Sequence, residues 1–123
     1  MLAAGAAATT AAAQPQTGAR PIQLFVEMSV DPKREKDLVR HFTTIFRPAA
    51  SKQPGFIDVK LLKLRSTITG KPPAGVNYRF MISFQSEEQR QVWIKTDVHQ
   101  QVWPPIEAML TTKDYSVHLF DAY

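Results

Sequence analysis

Apolar residues alternate from Ile22 to Val30 (IQLFVEMSV), with Ile22, Leu24, Val26, Met28 and Val30 on one side and Gln23, Phe25, Glu27 and Ser29 on the other. A period of two predicts a strand with one buried face and one half-polar face. Asp31 follows as a helix cap, and Pro32 takes the first helical position, where its missing N–H costs nothing. The period then turns helical: Leu38, Phe42, Ile45 and Ala49 form a stripe flanked by Val39 and Phe46. Pro48 is expected to kink this helix or split off its last turn, and Gln53-Pro54-Gly55 to end it.

Phe56–Arg65 (FIDVKLLKLR) reads as a second strand, with Ile57, Val59 and Leu61 on one face. Ser66–Val76 is rich in Gly and Pro and forms a loop or wide hairpin. In the third strand, Asn77–Gln85, Tyr78, Phe80, Ile82 and Phe84 oppose Arg79, Met81 and Ser83. Ser86 with Gln89 fits a capping box and opens a second helical region. A break is expected near Thr96-Asp97, with a second cap starting Val98–Val102. Pro104-Pro105 then interrupts before a short helix, Ile106–Leu110, and Asp114–Tyr123 is the last strand.

The order β-α-β-β-α-β is the ferredoxin-like plan: an α+β fold with a four-stranded antiparallel sheet and helices on one face. The other face carries Phe25, Leu62, Met81 and Phe120 among Glu27, Lys60, Arg79, Ser83 and His118. That mixture is too apolar for open water and too polar for a core. A symmetric partner would cover it, so a homodimer with sheet facing sheet is expected, with Arg79 placed to pair with Glu27.

Composition narrows the picture modestly. A chain of 123 residues is one domain, large enough to bury a core. The net charge of +4 is spread among interleaved acids and bases, without the concentrated basic patch of a nucleic-acid binder. The absence of Cys removes disulfides, thiol nucleophiles and thiolate metal ligands. The three His lack metal-ligand spacing, so no metal site is expected.

The start of the chain differs from the rest. Residues 1–13 (MLAAGAAATTAAA) are uncharged, and Ala11-Ala12-Ala13 before Gln14 suits the small-residue rule for signal cleavage. The segment is too short to span a bilayer and has no positive n-region. It reads either as the back half of an export signal, which makes the protein exported or periplasmic, or as a disordered tail on a cytoplasmic protein. Residues 14–21 (QPQTGARP) form a linker, which leaves 22–123 as the folded domain.

Chemistry concentrates in Ser86–Leu110, which gathers Trp93, His99 and Trp103. These side chains can stack on a flat aromatic molecule or move a proton near neutral pH. Each also has a plainer role: Trp93 as a core residue, Trp103 as an interface anchor, and His99 as a carbonyl-bonded residue at a helix break. His41 is expected on the surface of the first helix, and His118 on the mixed sheet face. No phosphate loop, serine nucleophile motif or catalytic carboxylate pair is present.

Four local features line up with a known domain. Val30-Asp31-Pro32-Lys33 enters the first helix, and Gln53-Pro54-Gly55-Phe56 leaves it. Phe84-Gln85-Ser86-Glu87-Glu88 is an aromatic strand end with an acidic helix start, and Thr96-Asp97-Val98-His99 is a Ser/Thr-x-x-His step. In this order and spacing they resemble the antibiotic biosynthesis monooxygenase domain over Ile22–Tyr123. The resemblance implies a dimeric α+β barrel that oxidises polycyclic or quinol substrates with O₂, without metal, flavin or haem. In such a mechanism the substrate supplies the electrons; the protein binds a flat phenol, favours its anion and excludes water. A haem-degrading branch of that family uses an Asn, a Trp and a His. Here Trp93 matches the Trp, while Val26 and Trp103 stand at the Asn and His positions, so that set is incomplete.

The expected function is a cofactor-independent monooxygenase for a small aromatic or quinol. The alternative is a non-catalytic binding module for a hydrophobic ligand or haem. The expected pocket lies between sheet and helices, with His99 as the catalytic base. Val26, Met28, Phe42, Tyr78, Phe80, Trp93 and Trp103 are expected to bind the substrate.

Overall fold

The computed structural model describes residues 20–123; the export-signal reading of residues 1–13 lies outside them. The chain runs β1 (Ile22–Met28), a 3₁₀ turn (Pro32–Arg34), α1 (Glu35–His41), a π-helical stretch (Phe42–Phe46) and α2 (Arg47–Ser51). It continues through β2 (Phe56–Lys63), β3 (Tyr78–Phe84), α3 (Glu87–Ile94), α4 (Asp97–Val102), α5 (Pro104–Glu107) and β4 (Ser116–Asp121). The strands form one antiparallel sheet in the order β2-β3-β1-β4. This is the ferredoxin-like α+β fold expected from the period changes along the chain.

The caps fall where short polar side chains precede apolar runs. Asp31 accepts from the Lys33 amide, Ser86 from that of Gln89, and Thr96 from that of His99. Gly55 turns the chain into β2 with φ of +81°, a region that side-chain-bearing residues rarely enter. The Gln89 side chain fills the space where a Cβ on Gly55 would stand.

Two local phase shifts separate the structure from the simple periodicities. The last turn of the first helical region is set off as α2, with Pro48 in its first turn. The turn before the proline widens, and the Arg47 amide donates to the carbonyl of Phe42. A wider turn makes room for the proline ring and absorbs its missing donor. The buried stripe therefore advances in steps of four, through Leu38, Phe42, Phe46 and Ala50. Ile45, expected on the stripe, is 49% exposed. The second shift is in β2, where the pairing slips between Phe56 and Asp58 and leaves Ile57 as the extra residue. Ile57 is exposed, and Phe56 takes its inward place, edge-on to Phe84 at 6.2 Å. Val59 and Leu61 keep their expected face.

The core lies between the sheet and the helices, and Phe46 is its centre. Its ring meets Phe80 at 5.2 Å, Trp93 at 6.0 Å, Trp103 at 6.1 Å and Phe42 at 6.2 Å. On the opposite sheet face, Phe120 stands edge-on to Phe25 at 5.5 Å, and the Arg79 guanidinium lies over Phe25 at 5.4 Å. Arg79 pairs with Glu27 at 2.7 Å, as the register Glu27↔Arg79 requires. Leu62 and Phe120 on this face remain exposed.

Replacing Phe46 with Ala removes the ring shared by the sheet and both helical regions. Urea denaturation should show a loss of about 3–5 kcal/mol, the usual cost of truncating a buried Phe. A loss no larger than that of an exposed substitution would mean that the core does not depend on this residue.

Candidate functional site

A cavity of about 150 Å³ opens between the inner sheet face and the second helical region. Its floor is Leu24 and Val26 of β1 with Phe80 and Ile82 of β3. Phe46 closes it toward the first helical region, and Val117 of β4 with Tyr115 bounds the far side. Arg90, Trp93, Ile94, His99 and Trp103 form the roof. An apolar cavity of this size holds a single benzene-like ring. It is below the roughly 300–1,000 Å³ of drug-sized sites.

His99 is held by its position in α4. Its amide donates to Thr96 Oγ1 at 3.1 Å, which sets the first turn and directs the ring inward. The imidazole stands perpendicular to Trp93, with centroids 5.0 Å apart, and lies within 15° of the plane of Trp103. Its Nδ1 is buried and has no hydrogen-bond partner among the described residues. Burial lowers the affinity of His99 for a proton, the positive charge of Arg90 lowers it further, and Glu107 partly opposes them. The result is a neutral imidazole with one unsatisfied nitrogen.

Arg90 is the cation of this cavity. Glu87, one turn earlier in α3, grips it in a fork, with Nε to Oε1 at 2.7 Å and Nη2 to Oε2 at 2.6 Å. Hydrogen bonding from Arg90 holds the Glu87 carboxyl below its usual range. The Arg90 side chain is only 14% exposed. On the opposite wall, the Tyr115 hydroxyl donates to Glu107 Oε2 at 2.7 Å. Burial raises the Tyr115 hydroxyl, and the bond to Glu107 adds to the shift. The site thus presents one neutral base, one fixed cation and one phenol among aromatic walls.

The structure brings Val26, Phe80, Trp93, His99 and Trp103 together around this space. Met28, Phe42 and Tyr78 lie elsewhere. Met28 is fully enclosed in the core. Phe42 and Tyr78 line a separate groove between the first helical region and β2. There Tyr78 donates to Glu35 Oε1 at 2.7 Å, and Lys63 reaches the same oxygen at 2.7 Å. Burial, followed by the bond to Glu35, pushes the Tyr78 hydroxyl up to about 12. Met28 and Tyr78 do share the inner sheet face with Val26 and Phe80, but they sit toward its other end. Arg90 was not anticipated, although it stands three residues before Trp93 and so shares its helix face. Among the described residues, no cluster of His, Asp and Glu could hold a metal ion.

No family model and no curated protein matches the chain. Solved structures do. A Caulobacter crescentus protein named a "putative antibiotic biosynthesis monooxygenase" superposes with a TM-score of 0.69 at 12% identity, covering 85% of this chain and 92% of that one. SnoaB, a cofactor-independent oxygenase from Streptomyces nogalater, matches with a TM-score of 0.66 at 15% identity, covering 85% and 94%. A dimeric ferredoxin-like protein from Jannaschia sp. matches with a TM-score of 0.66 at 14% identity, covering 84% and 98%. The chain has the fold of antibiotic biosynthesis monooxygenase-like domains.

The lowered proton affinity of His99 has a consequence for stability. As the pH falls, the unfolded chain takes up this proton before the folded one does. The contribution of His99 is therefore complete above its ordinary value of 6.5 and is lost as the pH falls below it. Proton NMR should place the His99 titration midpoint below 6.5. His99→Gln should lose less stability than wild type between neutral and mildly acid pH. A His99 midpoint above its ordinary value would contradict the buried, cation-facing environment.

Proposed function

We propose that the protein is a cofactor-independent monooxygenase that oxidises a small, single-ring hydroquinone or phenol with O₂. The observation that carries this reading is the buried, partnerless Nδ1 of His99 inside an aromatic cavity beside Arg90. A ring of benzene size fits the space, with Trp93 and Trp103 as its apolar walls. The unsatisfied Nδ1 accepts the phenolic proton, which a neutral imidazole can do near pH 7. The Arg90 guanidinium, already oriented by Glu87, stabilises the phenolate, and this stabilisation is strongest where water is excluded.

The anion is electron-rich enough to react with O₂ directly. One oxygen atom bonds to a ring carbon and the other leaves as water. For a hydroquinone, the ring gives up four electrons in all and becomes a hydroxyquinone. Oxygen consumption with a panel of simple hydroquinones tests this. Turnover should fall about a hundredfold or more in His99→Ala, the scale of losing a general base. Trp93→Ala should mainly raise KM, because stacking serves ground and transition states alike. Equal turnover in wild type and His99→Ala removes the base from the mechanism. Hydroquinone binding without oxygen consumption would identify a binding module instead.

The working unit in this proposal is a homodimer formed through the outer sheet face. Exposed Phe120 and Leu62 beside the Glu27–Arg79 pair support it, and so does the dimeric state stated for the Jannaschia protein. Sedimentation should show a dimer at low micromolar concentration. Phe120→Glu should shift it to monomer, because burying an unpaired charge is costly. A monomeric wild type under the same conditions would dismiss the dimer.

A further inference from the structure

The two prolines after Trp103 create a hydrogen-bonding deficit at one wall of the cavity. The carbonyl of Val102, the last residue of α4, would ordinarily accept from an amide three or four residues later. Three residues later stands Pro105, which has no N–H. Four residues later stands Ile106, whose amide donates instead to the Trp103 carbonyl at 2.9 Å. The Val102 carbonyl is therefore deprived of both backbone donors. Val102 is itself buried, so an unmade bond here is expensive.

His41, at the end of α1, supplies the missing donor. Its Nε2 lies 2.8 Å from the Val102 oxygen, and a carbonyl can only accept, so the imidazole must donate. This bond spans 61 positions in sequence and ties the first helical region to the α4–α5 junction. Trp103 is that junction, serving as C-cap of α4 and N-cap of α5. Its indole lies 5.3 Å from Phe80, 6.1 Å from Phe46 and nearly parallel to His99.

We propose that His41 is a positioning residue that holds Trp103 over the cavity by replacing a backbone donor that Pro105 removed. His41 does not line the cavity. Its influence passes through the Val102 carbonyl to the backbone of Trp103, the next residue. The consequence for substrate rests on the monooxygenase reading above; the ordering of Trp103 does not.

The test compares His41→Gln, which keeps a donor at similar reach, with His41→Met, which has similar length and no donor. Proteins labelled with 5-fluorotryptophan are followed by fluorine NMR without ligand, with Trp103 assigned from Trp93→Phe. Wild type and His41→Gln should give one narrow Trp103 line, and His41→Met a broadened or split one. Adding Pro105→Ala to His41→Met should narrow the line again. Ile106 already bonds three residues back, so a new amide at position 105 falls on the Val102 oxygen. In oxygen consumption with hydroquinone, His41→Met should raise KM about tenfold, the scale of one lost neutral hydrogen bond. Its kcat should change less than about twofold on the same scale. A wild-type line in His41→Met overturns the proposal, as does equal disturbance in the Gln and Met variants. A protein without turnover in wild type would sink the monooxygenase reading while the fluorine spectra still decide the role of His41.

Discussion

The aromatic contact network around Phe46 is the constraint on which the rest of the structure depends. This ring touches the sheet through Phe80 and the second helical region through Trp93 and Trp103. Its orientation comes from the widened turn before Pro48, which moves the buried stripe into steps of four residues. The proline thus shapes the cavity indirectly. It forces the wider turn, the turn presents Phe46, and Phe46 closes one side of the space beside His99. A cavity persists here because rigid rings meet edge-on rather than interlocking as aliphatic side chains do.

Electrostatics completes what packing begins. Arg90 would be costly in an apolar wall without a partner, and Glu87 one helical turn away supplies it. Arg90 also helps keep His99 neutral, because the guanidinium disfavours a second positive charge nearby. Tyr115 and Glu107 form a second hydrogen-bonded pair across the cavity. The polar groups are few, and His99 alone among them has a buried atom left without a partner.

Much of the fold was legible because period two, period 3.6 and the polar caps agree with one another in each element. Asp31, Ser86 and Thr96 cap as their positions suggest, and Arg79 finds Glu27 across the register. The misses are one-residue phase shifts at Ile57 and Ile45, where tertiary demand from Phe56 and Pro48 overrides local period. In the candidate site, residue type pointed to Trp93, His99 and Trp103. Period assigns a residue to a face but not to a place along that face, so Met28 and Tyr78 were grouped with Val26 and Phe80. Arg90 escaped notice because a charged residue early in a helix reads as solvated. Its burial becomes visible only once Glu87 and the sheet are in place. His41 escaped for a similar reason: its partner is a carbonyl in the other helical region.

The outer wall of the cavity has a different character from the rest. Among the described residues β4 pairs only with β1, and all six of its residues are exposed. Val117, which faces the cavity, keeps about half its surface in solvent. Local opening free energies are lowest where packing is thinnest. The cavity is therefore bounded unequally: edge-on rings form its inner side, and a single strand pairing carries its outer side. The shape of the space is set by the rings, while the outer wall rests on a strip of backbone hydrogen bonds between β1 and β4.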